Sequence, residues 1–230
     1  MPLDATAIAN NISHLRERIA RAAERAGRNP DEITLVAISK TFPAESILAA
    51  HAAGLCHFGE NRVQEAESKH LQLGGLDATW HFIGHLQSNK ARKAAELFNR
   101  IDSIDSLALA QKLNAAAAAL RKRLGVLIEL HMGEATKSGV AESDLPVLAA
   151  ACATLPHLDL LGLMAIPPYA EDPAQVRPYF QKARALRDAT ARRIGRGLPV
   201  LSIGMSHDFE VAIEEGATEV RIGTALFGRR

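Results

Sequence analysis

The run Ile33-Thr34-Leu35-Val36-Ala37-Ile38-Ser39 is short, apolar and β-branched, and the stretch after it, 44–53, follows a helical pattern. The same alternation returns along the chain. Further strand candidates are 55–58, 79–83, 100–104, 125–130, 158–166, 199–203 and 218–222. Helical patterns lie between them at 61–72, 88–98, 106–122, 143–153, 174–194 and 207–215. Continuous apolar strands separated by helices read as a parallel sheet covered on its outer face. Eight of them in about 200 residues match one (β/α)8 TIM barrel of α/β class. A doubly wound open sheet is the rival, but it needs a reversal of strand order that sequence does not display. Ahead of the barrel, Ile8, Ile12, Leu15 and Ile19 recur at helical spacing, and Gly27 with Pro30 supplies a stop. Residues 1–27 are therefore expected as an additional N-terminal helix. The prolines at 167–168, 173 and 178 suit a βα loop rather than a linker, so 1–230 is expected as a single domain.

The bulk composition excludes several roles. Apolar residues form 47% of the 230, enough for a core without disulfides or a structural metal. Lys and Arg number 27 against 26 Asp and Glu, a net charge of +1. That balance argues against a dedicated nucleic-acid or anionic-membrane binder. The Arg121-Lys122-Arg123 run closes a helical pattern and reads as a solvated face that suits the helix dipole. Cys56 and Cys152 lie far apart without metal or disulfide spacing, and both read as small buried apolar residues. The N-terminus has an early Asp and no apolar core, so no signal peptide is expected, and no apolar run reaches membrane-spanning length. A soluble, cytoplasmic protein is expected.

Chemistry in such barrels gathers at the C-terminal ends of the strands, and phosphate groups commonly sit after strands seven and eight. Here Ile203-Gly204-Met205-Ser206 is followed by His207 and Asp208 opening a helix, and Arg221-Ile222-Gly223-Thr224 closes the eighth strand. Small residues let backbone N–H groups approach an anion, and the hydroxyls add donors, although Ser206 and Thr224 also suit plain N-caps. Lys40 follows the first strand directly. At the mouth of a barrel its charge is costly, its pKa falls, and a neutral amine there forms an imine with an aldehyde. A rim lysine reaching water is the bland alternative. Lysine and phosphate cradle together suggest either pyridoxal phosphate or a sugar-phosphate aldolase substrate. Other strand ends carry Gly59-Glu60-Asn61, Gly84-His85 with Gln87, Ser88 and Asn89, and His131. His81 and His85 are four apart across a strand and its exit loop, so hydrogen-bonding histidines are a better reading than a zinc pair.

In VAISKTFP (36–43), FGENRVQEA (58–66), WHFIGHLQSNKAR (80–92), LLGLMAIPP (160–168), LSIGMSHDFEVAI (201–213) and VRIGTALFG (220–228) the chain resembles the pyridoxal phosphate homeostasis protein family. That family is itself related to the barrel domain of alanine racemase. The segments span nearly the whole chain in order. The resemblance implies that pyridoxal 5′-phosphate is the cofactor, with Lys40 carrying its Schiff base. It implies that Ser206, Gly223 and Thr224 hold the phosphate and that Asn61 lies near the cofactor. Arg221 matches the arginine that faces the pyridine nitrogen in the racemases, with a phosphate contact as the alternative. A guanidinium cannot give the ring a proton, which weakens the cofactor as an electron sink. One departure is Leu130-His131, where relatives often have an Asn. Lys137, in the loop beyond, is a candidate to receive the cofactor during transfer.

The racemases also need a second β domain and a tyrosine from a partner subunit. Here the chain stops at Arg230, and Tyr169 and Tyr179 match no catalytic tyrosine. The expected role is therefore non-catalytic: intracellular buffering or delivery of pyridoxal phosphate, affecting amino-acid and keto-acid pools. No catalytic residue or metal site is assigned. Apoenzymes that use the cofactor are the expected acceptors, and a monomer is the expected state. An amino-acid racemase and a class I aldolase working through Lys40 without cofactor are the alternatives.

Overall fold

The computed structural model describes residues 4–133 and 138–229. It opens on α1 (Ala5–Arg25), started by the Asp4 carboxylate, which accepts the Ala7 N–H at 2.8 Å. Ile8, Ile12, Leu15 and Ile19 all face the core, as their spacing predicts. Strands and helices then alternate. The strands are β1 (Thr34–Ile38), β2 (His57–Glu60), β3 (Thr79–Phe82), β4 (Arg100–Ile104), β5 (Leu124–Leu130), β6 (Leu158–Ala165), β7 (Val200–Met205) and β8 (Glu219–Ile222). The helices that follow them are α2 (Ala44–Ala52), α3 (Val63–Leu73), α4 (Ala91–Leu97), α5 (Leu107–Ala119), α6 (Leu145–Thr154), α7 (Arg177–Ile194), α8 (Phe209–Glu214) and α9 (Thr224–Phe227).

All neighbouring strands are parallel, and β1 pairs with β8 from Thr34↔Glu219 to Ala37↔Ile222. That pairing closes the barrel and removes the open-sheet alternative. Gly162 on β6 permits the close approach of β7, because a Cβ there would run into the Val200 carbonyl. α1 packs on α2, α8 and α9. Its Asn11 side chain donates to the Leu226 carbonyl at 2.9 Å, and Arg18 pairs with Glu210 at 2.9 Å. No helix among the described residues is long and apolar enough to cross a membrane.

Three expectations need correction. β2 runs two residues later than 55–58, so Gly59 and Glu60 belong to the strand. A strand-end carboxylate reads as loop, but Glu60 is tolerated because a buried lysine meets it. Cys56 is exposed rather than buried, since it lies in the turn before β2; Cys152 is buried, and burial pushes its thiol up to about 12. α5 ends at Ala119, and Arg121 sits at φ 53 beyond it, so the basic run leaves the helix instead of capping it. Lys122 turns to the Phe98 carbonyl and Arg123 to Asp159.

The lower barrel interior is polar. Arg100 on β4 reaches Glu219 on β8, diametrically across the barrel, at 2.7 Å, and its Nε donates to Asp102 at 3.1 Å. Asp102 meets His81 Nδ1 at 2.9 Å, and His81 Nε2 meets His57 Nδ1 at 3.0 Å. His81, Asp102 and Glu219 have metal-compatible spacing, but Arg100 already occupies the place of the cation between the two carboxylates. His57 is half-buried at the foot of β2, and burial, then His81, push its imidazole below the ordinary 6.5. The folded chain thus refuses a proton that the unfolded chain accepts. Stability from this group is complete above about pH 6.5 and is lost as pH falls toward the folded value. We expect His57→Gln to lose less of its thermal midpoint than wild type between about pH 7 and pH 5.5. Parallel midpoint curves for the two proteins would contradict this.

Candidate functional site

A cavity of about 530 Å³ opens at the C-terminal ends of the strands. β1 brings Ile38 and, just beyond its end, Lys40; the turn after β2 brings Asn61, and that after β3 brings Ile83 and Gly84. Ile166 follows β6, and Met205, Ser206 and His207 come from the end of β7 and its turn. β8 and its exit supply Arg221, Gly223 and Thr224, with Arg229 beyond. The six residues expected to hold the cofactor (Lys40, Asn61, Ser206, Arg221, Gly223, Thr224) therefore lie on one cavity. Sequence reasoning missed the apolar wall of Ile38, Ile83 and Ile166, and also Arg229, which reads as a solvated terminal charge. His131 is not among the lining residues, and Lys137 lies outside the described residues.

The turns around the cavity are built tightly. Gly204 takes φ 89, and a Cβ there would meet the Ala212 side chain at 2.5 Å. Ser206 is not an N-cap: its Oγ accepts the Ala225 N–H at 3.3 Å and so joins the β7 turn to α9. Thr224 is the first residue of α9 rather than its cap, which is Gly223. At Gly223 an added Cβ would meet Ile38 only at an ordinary 3.5 Å, so packing alone does not demand glycine. Asp208 opens α8 as its N-cap residue, as expected, but its buried side chain accepts the Met205 N–H at 2.6 Å rather than an N–H of the helix. Gly84 has no room for a side chain because a Cβ would strike the Asn61 carbonyl, and Ser103 Oγ holds the Gly84 carbonyl at 2.5 Å.

The charges are one-sided. Lys40, Arg221 and Arg229 line the cavity, and no carboxylate or tyrosine does among the described residues. Arg221 is buried, and one terminal nitrogen donates to both the carbonyl and hydroxyl of Ser202 at 2.7 Å. The other donates to the Ala165 carbonyl at 3.0 Å. Burial works against its charge, while Glu219, Asp102, Glu129 and Asp208 support it from outside the cavity. His207 Nε2 faces the Glu171 carbonyl at 2.9 Å, so that nitrogen carries the proton. Such a cavity suits an anion with a flat apolar body.

Behind Lys40 lies a second polar group. Lys69 on α3 is buried and donates to Glu60 at 2.6 Å, to Glu65 at 2.7 Å and to the Ser39 carbonyl at 2.8 Å. Ser39 Oγ donates to Glu60 at 2.7 Å, and Thr41, at φ 67, donates its N–H to Glu65 Oε1. Burial raises the Glu60 carboxyl above its ordinary value, with Lys69 opposing.

The alanine racemase N-terminal domain family matches residues 3–230. The pyridoxal phosphate homeostasis protein of Pseudomonas aeruginosa is 50% identical over 225 residues, covering 97% of this chain and 96% of that protein. Its counterpart in Escherichia coli K12 is 48% identical over 229 residues, covering 97% of each. The structure of PipY from Synechococcus elongatus, solved with PLP bound, has a TM-score of 0.86 and 38% identity, covering 96% of this chain and 100% of that one.

Proposed function

The chain belongs to the family of pyridoxal phosphate homeostasis proteins, and we propose that its barrel mouth holds pyridoxal 5′-phosphate without turning over a substrate. When bound, the cofactor supplies an aldehyde for a lysine amine and a ring that withdraws electrons. Lys40 contributes the amine. Ser206, Gly223 and Thr224 hold the phosphate through hydroxyls and backbone N–H groups. Asn61 would help hold the ring, and the lining by Ile38, Ile83 and Ile166 would exclude water from it. Arg221, held by Ser202 and Ala165, would stand at the cavity wall as a fixed positive charge that passes no proton to the ring.

One observation carries the non-catalytic reading: the cavity lining includes no carboxylate and no tyrosine among the described residues. Proton exchange on both faces of a carbon needs two acid–base groups within hydrogen-bond reach of it. Besides Lys40 the lining offers only His207 among the described residues, and its Nε2 is tied to the Glu171 carbonyl. Tyr169 is exposed and rests against His207 at 5.6 Å between ring centroids, outside the lining. The chain works as one monomeric domain in the cytoplasm, buffering the cofactor or delivering it to apoenzymes that use it.

The test is wild type loaded with pyridoxal phosphate. We expect a yellow band near roughly 420 nm that borohydride fixes on Lys40, together with no loss of chirality in alanine or serine. A colourless protein that takes up no cofactor overturns the binding reading and favours aldolase chemistry at Lys40. Sustained racemisation overturns the non-catalytic one.

A further inference from the structure

Lys40 lies between two residues whose backbones are tied to one ion pair of α3, buried Lys69 and partly exposed Glu65. On one side Lys69 holds the Ser39 carbonyl at 2.8 Å. On the other, Glu65 holds the Thr41 N–H. Lys69 and Glu65 are themselves paired at 2.7 Å, four residues apart on α3. Glu60, fully buried at the end of β2, completes the group through Lys69 and Ser39. Thr41 makes this more than ordinary packing. Its φ of 67 is a left-handed conformation that a β-branched residue rarely adopts and that persists only where surroundings impose it. The imposed turn follows Lys40 directly and fixes where that side chain leaves the strand.

We propose that Glu65 and Lys69 are positioning residues for Lys40, locking residues 39–41 so that the amine is delivered into the cavity. They touch no ligand and act only through the Lys40 backbone. The inference rests on the reading that Lys40 joins pyridoxal phosphate. A single oxygen, Glu65 Oε1, accepts from both Lys69 and Thr41, so an amide oxygen can replace it whereas a methyl group cannot. That separates the lock from the charge.

The experiment compares wild type, Glu65→Ala and Glu65→Gln. Each is treated with limiting pyridoxal phosphate and borohydride, and the adduct at Lys40 is measured by peptide mass spectrometry against that at exposed Lys182. Amide exchange at Thr41 is followed without cofactor. Glu65→Ala should lower the Lys40-to-Lys182 ratio on the order of tenfold, the scale expected from a misplaced reacting group. It should also speed Thr41 exchange, and Glu65→Gln should restore most of both. The paired change Lys69→Met with Glu60→Gln, which removes both buried charges together, should lower the ratio similarly. Equal ratios in all proteins overturn the inference. If wild type itself shows no preference for Lys40, the cofactor reading fails, and Thr41 exchange alone decides: fast in Glu65→Ala and slow in Glu65→Gln upholds the lock, while equal exchange rejects it.

Discussion

Lys40→Ala is expected to take up no covalent pyridoxal phosphate and to show no band near roughly 420 nm, while its unliganded thermal midpoint stays close to that of wild type. Lys40 is only partly buried at the rim, and substitutions at such positions usually change stability by about 0.5 kcal/mol or less. The liganded proteins should differ far more. A ligand at a hundred times its Kd stabilises the folded state by about 2.7 kcal/mol. For a chain of this size, each kcal/mol moves the midpoint by roughly 2–4 °C. Wild type with excess cofactor should therefore gain roughly 5–10 °C. Lys40→Ala, left with the phosphate cradle alone, should gain only a small part of that. Differential scanning fluorimetry with and without cofactor, beside the absorbance spectrum, reads both. A yellow Lys40→Ala protein that borohydride bleaches into a covalent adduct would mean that another lysine is the attachment point.

Arg100→Met should be the most damaging change away from the mouth. Arg100 is nearly buried and bridges Asp102 and Glu219, which are 0% and 2% exposed as side chains. Burial opposes its charge, yet the two carboxylates hold its pKa above the ordinary arginine value. Removing it leaves two buried carboxylates without their cation, a change that costs about 3–5 kcal/mol. The midpoint should fall by roughly 6–20 °C. The exposed Arg123 pair with Asp159 provides the comparison, and Arg123→Met should cost about 1 kcal/mol or less. Acidification gives a second check. In wild type, Asp102 has a depressed pKa, so its stabilisation is present above the ordinary carboxylate range and lost as pH falls through the folded value. In the variant both carboxylates prefer to be protonated, so the gap between the two proteins should narrow in acid. A gap that stays constant down to about pH 4 would show that the unpaired charges are not the cause.

The alternation of short apolar runs and helical patterns made the barrel legible, because period and strand length are local properties. The residues expected at the mouth could be picked out because each stands at or just after the end of a strand, where this architecture places chemistry. What the sequence concealed is long-range. Glu60 reads as a loop carboxylate until Lys69, on the next helix, is seen to neutralise it. Nothing local shows that Arg100, Asp102 and Glu219 meet, and only barrel closure brings them together inside. Cys56 and the end of α5 were misplaced for a simpler reason: turns set by positive φ at Gly54 and Arg121 shift element boundaries by two or three residues.

Because β1 pairs with β8, the seam that closes the barrel lies between Thr34–Ala37 and Glu219–Ile222, and the mouth residues sit on both sides of it. Lys40 leaves the first strand of the seam, while Arg221 belongs to the last and Gly223 and Thr224 follow it. α1 reinforces the join through the Asn11 contact to Leu226, 215 residues away. Contacts so remote in sequence are among the slowest to form in folding, since a long loop must close before they repay its entropy. A nascent chain therefore carries the lysine long before it carries the anion cradle. If the proposed site is correct, ligand capture would report that synthesis has reached the final strand and that the first and last strands have met.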